Sequence, residues 1–356
     1  MTRVRAGEHT AESLHSTLAG SVTRFRVAIT GIFLAVLKIR KKNAKAAKAA
    51  KDHFLVNMEN PAADSPNLQT RFNEYRNLLF SIAYRMVGSV ADAEDLVQET
   101  FIRWQQASHE DIRSPRAFLT TIVSRLSINH LQSARAQREQ YVGQWLPEPM
   151  VTDPSSDPSN ALWSNESLSM AFLVLLERLT PIERAVFLLR EVFDYEYAEI
   201  AEAVGRSEVN CRQILRRAKE HVHAARPRFT ASAREHRDLL GQFVQATARG
   251  DLDGLVALLA SDVALHTDGG GKAPALPNLI RGATNVARAM VGAVKRFAPQ
   301  NRVMRLVQIN GEPGLVSYVD GRPASALVLH IADGRIAGIY IVNNPAKLAH
   351  VPPAPS

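Results

Sequence analysis

The segment TPIERAVFLLREVFDYEYAEIAEAVGRSEVNCRQILRRA, residues 180–218, decides how the middle of this chain folds. Thr180-Pro181-Ile182-Glu183 is a capping box with proline at the first helical position, and it predicts a helix through the apolar residues that follow. A short helix from Tyr197 is predicted to end at Gly205, because glycine takes the left-handed conformation that terminates helices. Ser207 is then predicted to cap a second helix.

Two helices joined by a tight glycine turn form the helix-turn-helix pattern. The small Ala201 lets the helices approach closely, and Val204, Cys211 and Leu215 are predicted to fill the space between them. We therefore interpret Cys211 as a core residue and not as a sensor thiol. The second helix leaves outward a mixture of amide and guanidinium groups, which suits contact with base edges in the major groove. The outward residues are Asn210, Arg212, Gln213, Arg216 and Arg217.

Charge alone leaves an alternative for this helix. Residues 205–228 hold seven Lys or Arg against Glu208 and Glu220. Basic side chains also suit the C-terminal end of any helix, because they interact favourably with its dipole. A solvated basic helix end is thus the alternative to DNA contact.

Upstream, residues 91–104 predict an amphipathic helix with an acidic stripe. At about 100° per residue, one arc of the helix is made up of Leu96, Val97, Thr100, Phe101 and Trp104. Asp92, Asp95, Gln98 and Glu99 fall together in another arc. Acidic side chains also suit the start of a helix, so a solvated, well-started helix is the alternative to a protein-binding surface. The apolar spacing over 72–87 predicts a further helix just before it.

The segment 114–140 predicts a basic helix that begins with Ser114 as cap and Pro115 in the first turn. Residues 112–139 carry five arginines against Glu139 alone, a local charge of +4. Phe118 among arginines is a combination that stacks unpaired bases, although a lone Phe at helical spacing is more often core. An acidic and a basic helix in one small domain suit a module that meets a protein on one side and nucleic acid on another.

Residues 141–165 predict a linker between domains. It contains Trp145-Leu146-Pro147-Glu148-Pro149 and then Asp153-Pro154-Ser155-Ser156-Asp157-Pro158. Four prolines in this short stretch exclude a helix and favour an extended, semi-stiff tether. We expect Trp145 to dock on a neighbouring surface, with a solvent-exposed loop tryptophan as the alternative.

Residues 234–350 predict an α+β domain. Residues 239–259 predict two helices broken at Arg249-Gly250-Asp251, and a third helix is predicted over 283–297. Four stretches with alternating apolar residues follow, and Asn310-Gly311 and Asp333-Gly334 are tight-turn signals between strands. Helices first and an antiparallel sheet last give the α+β class.

The composition of the whole chain narrows its class. Its 356 residues suggest two or three domains, and the composition excludes wholesale disorder and a disulfide scaffold. The single cysteine cannot form an internal bridge, so a cytoplasmic location is expected. The net charge of +8 lies in residues 1–57, because residues 58–356 hold 32 charges of each sign. The net charge therefore gives no evidence for or against DNA binding by residues 58–356.

Residues 1–66 are predicted to be an N-terminal extension. Its apolar run over 27–37 reaches about 16 Å as a helix, roughly half of a hydrocarbon core, so no membrane span is expected. The basic cluster follows this run instead of preceding it, which argues against a signal peptide. Three interpretations stay open: translation from Met58, a disordered extension, and a basic tail that touches DNA phosphates.

Residues 70–228 resemble the extracytoplasmic-function (ECF) sigma factors of bacteria, which keep only the second and fourth sigma domains. The resemblance implies sigma domain 2 over 67–140 and sigma domain 4 over 166–230, both all-α. It implies core RNA polymerase as a partner, through the β′ clamp helices and the β flap. The residues implied for the clamp helices are Asp95, Gln98 and Glu99.

The same resemblance implies two contacts with promoter DNA. The residues implied for the −10 element are Arg113, Phe118, Arg125 and Asn129. Those implied for the −35 element are Ser207, Asn210, Arg212, Gln213, Arg216 and Arg217.

Three motifs resemble signatures of the ECF group that bears a SnoaL-like extension. They are Trp145-Leu146-Pro147-Glu148-Pro149, Asp268-Gly269-Gly270-Gly271-Lys272 and Asn344-Pro345-Ala346-Lys347-Leu348. The resemblance implies a SnoaL or NTF2-like cone over 234–350 and a docked linker near the glycine loop, which would hold the two DNA domains in a set arrangement. The implied regulatory residues are Trp145, Pro147, Glu148, Asp268, Gly269, Gly270, Gly271, Lys272, Asn344 and Pro345.

The expected function is promoter-specific transcription initiation, modulated by the SnoaL-like domain, with no catalysis, cofactor, metal site or membrane partner. Two alternatives stay open. SnoaL-like folds include cyclases and isomerases, and this domain contains candidate acid–base residues. These are Asp262, His266, Asp268 and His330. A pocket in the same domain could instead bind an unknown small ligand, which would make the chain a ligand-sensing transcription regulator.

Overall fold

The structure of the protein is a computed structural model. It describes residues 65–109, 112–138, 141–152, 168–223, 232–297, 299 and 301–354. The predictions for the N-terminal extension before 65, and for 153–165 of the linker, lie outside the described residues. Thr70–Ser356 form one unit, to which the contacts below belong. Within the described part, no helix has the length and apolar character needed to cross a bilayer.

Three helices form what we call the first helical domain. They are α1 (Ser65–Val87), α2 (Val90–Gln106) and α3 (Pro115–Arg138). The chain turns sharply from α1 into α2 because Gly88 takes a left-handed conformation, with φ 71°. The Ser89 hydroxyl caps α2 by accepting the N–H of Asp92. The predicted arc of α2 is buried apart from Phe101, which is half-buried, and Trp104 is 1% exposed.

Four helices form the second helical domain. They are α4 (Met170–Leu176), α5 (Pro181–Glu191), α6 (Tyr197–Val204) and α7 (Glu208–His223). The predicted capping box of Thr180 and Glu183 is confirmed at the start of α5. Gly205 ends α6 with φ 65°, and the Ser207 hydroxyl accepts the N–H of Asn210 at the start of α7. Cys211 is fully buried, as predicted for a core residue.

The C-terminal domain combines three helices with a sheet. The helices are α8 (Ala233–Arg249), α9 (Leu252–Leu258) and α10 (Ala283–Phe297). The strands are β1 (Val151–Thr152), β2 (Leu259–Asp268), β3 (Ile280–Arg281), β4 (Val303–Ile309), β5 (Glu312–Val319), β6 (Arg322–Ala332) and β7 (Arg335–Val342). Both predicted turns, Asn310-Gly311 and Asp333-Gly334, have positive φ at each residue. The predicted fold class, two all-α domains followed by an α+β domain, is confirmed.

The sheet has the order β1-β4-β5-β6-β7-β2-β3 and is mixed. The four strands predicted after α10 are present and antiparallel, but β2 precedes α10 and pairs parallel with β7. The prediction of a purely antiparallel sheet is therefore wrong. β2 begins at Leu259 directly after α9, so no turn residue marks its start.

The linker takes part in the same sheet. β1 pairs antiparallel with β4, with Val151 opposite Ile309 and Thr152 opposite Gln308. In its described part the linker is thus an edge strand and a docked segment, which corrects the prediction of a semi-stiff tether. Strand pairing over two residues is enough to fix its direction along the sheet.

Apolar side chains are buried on both faces of the sheet. One core lies against the helices of the C-terminal domain and includes Phe243 and Val286. The second core holds Leu146 of the linker and Met170 of α4 together with strand residues such as Val328. Linker, second helical domain and C-terminal domain therefore share one hydrophobic core.

Candidate functional site

The candidate polymerase-contacting residues lie on the outer side of α2. Asp95 and Gln98 are exposed, and Glu99 forms an ion pair with Arg103 at 3.0 Å. The fourth residue of the acidic stripe, Asp92, lies 3.5 Å from His130 of α3. Asp95, Gln98 and Glu99 therefore lie within about one helical turn on the solvent side of α2, while Asp92 faces His130 of α3.

The start of α2 is held by the linker. Glu148 Oε2 accepts the N–H of Val90 at 2.6 Å, and Oε1 accepts the Ser89 hydroxyl at 3.1 Å. The N–H of Glu148 donates to the Gly88 carbonyl at 2.8 Å. A carboxylate at a helix N terminus is also favoured by the helix dipole. Glu148 thus ties the linker to the helix that carries the acidic stripe.

The candidate −35 residues lie along the exposed side of α7. Asn210, Gln213 and Arg217 are exposed. The Arg212 guanidinium lies 4.5 Å from the Tyr197 ring centroid and pairs with Glu208. Arg216 and Ser207 are exposed as well, and Arg216 lies 3.7 Å from Glu220. The structure therefore brings all six predicted residues to one exposed surface.

Val209 also lies on this surface, although it is not among the contact residues predicted from the sequence. It is 65% exposed and precedes Asn210 on the first turn of α7. An apolar side chain at the major groove contacts the thymine methyl group. The sequence indicates its exposure only indirectly, because Val209 lies outside the set of residues buried between the two helices, Val204, Cys211 and Leu215.

The candidate −10 residues of α3 and of the segment before it lie in different surroundings. Arg113 and Asn129 are exposed. Phe118 is half-buried, and its ring centroid lies 6.0 Å from that of Trp104, so part of the ring packs within the domain. Arg125 instead contacts the second helical domain.

Arg125 caps the C-terminal end of α6. Its Nη2 donates to the Glu202 carbonyl at 2.6 Å, and its Nε donates to the Ala203 carbonyl at 3.2 Å. A cation at the C terminus of a helix is favoured both by the free carbonyls and by the dipole. Arg125, which is predicted to contact DNA, therefore makes its hydrogen bonds within the protein in this structure.

A buried hydrogen bond extends this contact between the helical domains. The hydroxyls of Thr120 and Tyr195 are 2.6 Å apart. The Arg116 guanidinium lies 4.6 Å from the Tyr195 ring centroid, a cation–π arrangement. Arg116 and Thr120, one turn apart on α3, thus contact Tyr195 in the segment leading into α6, while Arg125 contacts the end of α6.

Arg184 adds a buried contact between the same two domains. It is 3% exposed, and its Nη1 donates to the Met86 carbonyl at 2.6 Å. Its Nε donates to the Leu176 carbonyl at 3.0 Å, and Glu177 balances its charge at 2.9 Å. No motif in the sequence marks Arg184, because its partners lie in other elements.

The glycine loop and the linker meet at Asp268, which is 0% exposed. Asp268 Oδ1 accepts the Tyr141 hydroxyl at 2.5 Å, and Oδ2 accepts the Leu146 N–H at 2.8 Å. The Lys347 ammonium donates to Oδ2 at 2.7 Å and also to the Leu146 carbonyl. Burial and the Asp268 carboxylate raise the pKa of the Tyr141 hydroxyl, which keeps it a donor. The expected docking of the linker near the glycine loop is confirmed.

Trp145 packs between the first helical domain and this ion pair. The Lys347 ammonium lies 4.1 Å from the centroid of the Trp145 ring. On the other side, a Cβ on Gly88 would lie only 2.7 Å from the Trp145 ring, so glycine alone fits there. The expectation that Trp145 docks on a neighbouring surface is confirmed. Pro147 is buried beside it.

The remaining predicted regulatory residues differ in their contacts. Asn344 is 5% exposed and donates to the Tyr141 hydroxyl at 2.8 Å. Gly270 has φ 56°, and a Cβ there would lie 2.2 Å from the Asn344 amide nitrogen. Lys272 is exposed, and its main-chain N–H closes the loop on the Gly269 carbonyl at 2.9 Å. Gly271 and Pro345 are exposed. The buried cation is thus Lys347, which the prediction of site residues leaves out.

Asn310 joins four parts of the chain. Its side chain accepts the Met150 N–H at 3.0 Å and donates to the Tyr84 hydroxyl at 2.8 Å and the Leu168 carbonyl at 3.1 Å. Asn310, in the β4–β5 turn, therefore contacts the linker, the first helical domain and the start of the second helical domain. The sequence marks Asn310 only as a turn residue.

The four candidate acid–base residues lie in separate surroundings. Asp262 is exposed, and Asp268 is bonded to the linker. The His266 ring stacks on Tyr340 with centroids 5.0 Å apart, and burial, with Arg281 and Arg178, lowers its pKa to about 4. Burial also lowers the pKa of His330. Both imidazoles are therefore neutral at neutral pH.

Comparison with known proteins assigns the two helical domains. Residues 71–137 match the family model Sigma-70 region 2, and residues 169–222 match Sigma-70, region 4. The ECF RNA polymerase sigma factor SigJ of Mycobacterium tuberculosis is 39% identical over 294 residues, which cover 80% of this chain and 94% of that protein. The probable ECF RNA polymerase sigma factor SigI of the same species is 31% identical over 278 residues, 77% of this chain and 92% of that protein.

A solved structure extends the likeness through the C-terminal domain. The crystal structure of Mycobacterium tuberculosis SigJ superposes with a TM-score of 0.65 at 38% identity. The superposition covers 79% of this chain and 98% of that chain. The similarity therefore includes all three domains and the linker that joins them.

Proposed function

Because this chain belongs to the ECF family of RNA polymerase sigma factors, we propose that α2 docks on the core enzyme while α3 and α7 contact the promoter. Sigma factors of this family bind core RNA polymerase and promoter DNA. The observation that carries the proposal is the exposed side of α7, where two amide and three guanidinium groups lie within about two helical turns, between Asn210 and Arg217. Such groups pair with adenine and guanine edges in the major groove.

The polymerase contact is proposed for the exposed residues of the acidic stripe. Asp95, Gln98 and Glu99 would meet the β′ clamp helices, and the second helical domain would meet the β flap. Carboxylates held on a well-capped helix are fixed in direction, which favours a specific over a diffuse electrostatic contact. The Ser89 and Glu148 caps at the start of α2 provide that fixation.

The two promoter contacts cannot be made together in the arrangement seen here. The −10 and −35 elements lie about 25 base pairs apart, or about 85 Å along B-form DNA at 3.4 Å per step. In the structure, Arg125 of α3 touches the end of α6, the first helix of the helix-turn-helix. DNA this short bends little without strain. We therefore propose that the structure is a closed form, which opens before both elements are bound.

The C-terminal domain is proposed to modulate activity by holding this closed form. It contacts the first helical domain through Glu148 of the linker and directly through Asn310, which donates to Tyr84. Through the shared core it contacts the second helical domain at Met170. Core RNA polymerase would bind α2 close to Glu148, so the polymerase and the linker would contact the same helix.

Arg216→Ala is expected to weaken binding of the polymerase holoenzyme to its promoter by about 1–3 kcal/mol if Arg216 contacts a base. The matched control is Arg234→Ala, because Arg234 is also highly exposed and also faces an acidic residue four positions on. Fluorescence anisotropy with promoter duplexes and with duplexes altered in the −35 element measures the effect. An equal loss of affinity for every duplex would indicate that Arg216 contacts a phosphate. An unchanged affinity would show that Arg216 does not contact DNA.

A small-ligand role for the C-terminal domain is a second candidate, supported by His236 of α8. His236 is 5% exposed, and among the described residues its Nε2 has no hydrogen-bond partner. Burial, together with His330, lowers its pKa to about 4, so the ring is neutral. A neutral buried imidazole with an unused nitrogen offers one hydrogen bond to a polar ligand. A thermal-shift screen of metabolites on the chain and on its His236→Phe variant tests this role.

A further inference from the structure

The C-terminal domain contains a long stretch of one charge sign. Residues 269–311 include seven Lys or Arg and no Asp or Glu, although the whole chain holds 35 acidic residues in 356. The basic residues are Lys272, Arg281, Arg288, Lys295, Arg296, Arg302 and Arg305. This charge is local, because residues 58–356 as a whole are electrically balanced. The surfaces proposed above use none of these side chains.

The helix α10 presents part of this charge as an open surface. Arg288, Lys295 and Arg296, which we call the basic face, are exposed, and none of them takes part in an ion pair with another described residue. Arg288 and Lys295 are seven residues apart, which places them on the same side of the helix about 10 Å from each other. Gly292 between them has open space above it.

We propose that the basic face binds the sugar-phosphate backbone of promoter DNA outside the two recognised elements. Unpaired guanidinium and ammonium groups in a row along one helix side complement a row of phosphates, and release of condensed counterions drives such contacts. The contact is independent of base sequence, so it adds affinity and does not choose the promoter. The inference rests on the proposed function only in that promoter DNA is the polyanion the protein meets.

DNA fits this face better than an anionic membrane does. A helix that lies in a membrane interface turns a broad apolar side towards the lipid. The apolar residues of α10, such as Val286 and Met290, are buried against the sheet instead. Phe297, at the end of the helix, is its one large exposed apolar residue among those described.

The test compares DNA binding by the full chain and by the triple variant R288Q/K295Q/R296Q. Anisotropy with a duplex that lacks promoter elements is measured between about 50 and 200 mM salt, where phosphate contacts lose most of their affinity. The slope of log affinity against log salt is expected to become shallower by about one for each phosphate contact removed. Affinity for promoter and for scrambled duplexes is expected to fall by the same factor.

The matched control is R234Q/R237Q/R249Q, which removes the same charge from α8. That helix also carries Glu235 and Asp238, so its surface is mixed, and its salt slope is expected to stay near that of the unaltered chain. The basic residues of the N-terminal extension are the same in all three proteins, so they contribute equally to the three salt slopes. An unchanged slope in the basic-face variant, or equal changes in both triples, would overturn the proposal.

Two further measurements separate this proposal from its alternatives. Vesicles of equal parts phosphatidylcholine and phosphatidylserine test a lipid surface, and a variant that loses vesicle binding while keeping DNA binding would contradict us. Co-elution with core polymerase is expected to be unchanged in the basic-face variant. Failure of the unaltered chain to co-elute would refute the proposed function and leave the salt slope as an independent result.

Discussion

Asp268→Ala is expected to lower the free energy of unfolding by about 3–5 kcal/mol, the largest stability change we predict, because it leaves a buried ammonium without its counter-charge. Asp268 is fully buried, and Lys347 is 6% exposed. The same substitution removes the acceptor of the Tyr141 hydroxyl and of the Leu146 N–H. The change is measured as a lower urea midpoint with an unchanged m value.

A double substitution separates the ion pair from general damage to the loop. Asp268→Leu with Lys347→Met replaces the pair by apolar side chains of similar size. This protein is expected to be more stable than either single variant, because neither charge is left buried alone. Equal stability of Asp268→Ala and the unaltered chain would contradict this prediction, because the contact between the three motifs would then contribute nothing to stability.

Glu99→Lys is expected to abolish binding to core RNA polymerase while leaving the fold intact. Glu99 lies on the solvent side of α2, so its replacement disturbs no core packing. Reversing its charge places a cation where the clamp helices are proposed to meet an anion, and like charges across an interface cost several kcal/mol, about 10²-fold or more in affinity. Co-elution at modest ionic strength measures the loss, and circular dichroism confirms the fold.

Glu94→Lys is the matched control for this prediction. Glu94 lies on the same helix and is exposed, but it pairs with Arg76 of α1 and lies outside the proposed contact. Polymerase binding is expected to persist in this variant. Unchanged affinity of Glu99→Lys, or equal loss in both variants, would show that the acidic stripe is not the docking surface.

Local signals in the sequence predict much of this fold. The capping box at Thr180, the Gly205 helix end and the Asp251 cap each depend on residues a few positions apart, and each is present in the structure. The outward and buried sides of α2 and α7 follow from helical periodicity in the same way. The signature motifs predict that linker and glycine loop meet, which the Asp268 contacts confirm.

Long-range contacts account for what the sequence does not predict. β2 pairs with β7 across more than seventy residues, and nothing beside Leu259 marks a strand. Lys347 reaches Asp268 over 79 residues, while the neighbouring Lys272 occupies the more conspicuous place in the glycine motif. The resemblance implies that Arg125 contacts DNA, but only the fold shows that the carbonyls at the end of α6 accept its hydrogen bonds.

The proposed closed form is tested most directly by the distance between the two helical domains with and without core polymerase. Cys211 is buried, so fluorophores placed on cysteines introduced at Gln105 and His221, both exposed, report on α2 and α7. We predict efficient energy transfer in the free chain and a large fall when core polymerase and promoter DNA are added, because the two promoter elements lie about 85 Å apart. Equal transfer efficiency in the free and assembled states would contradict the account.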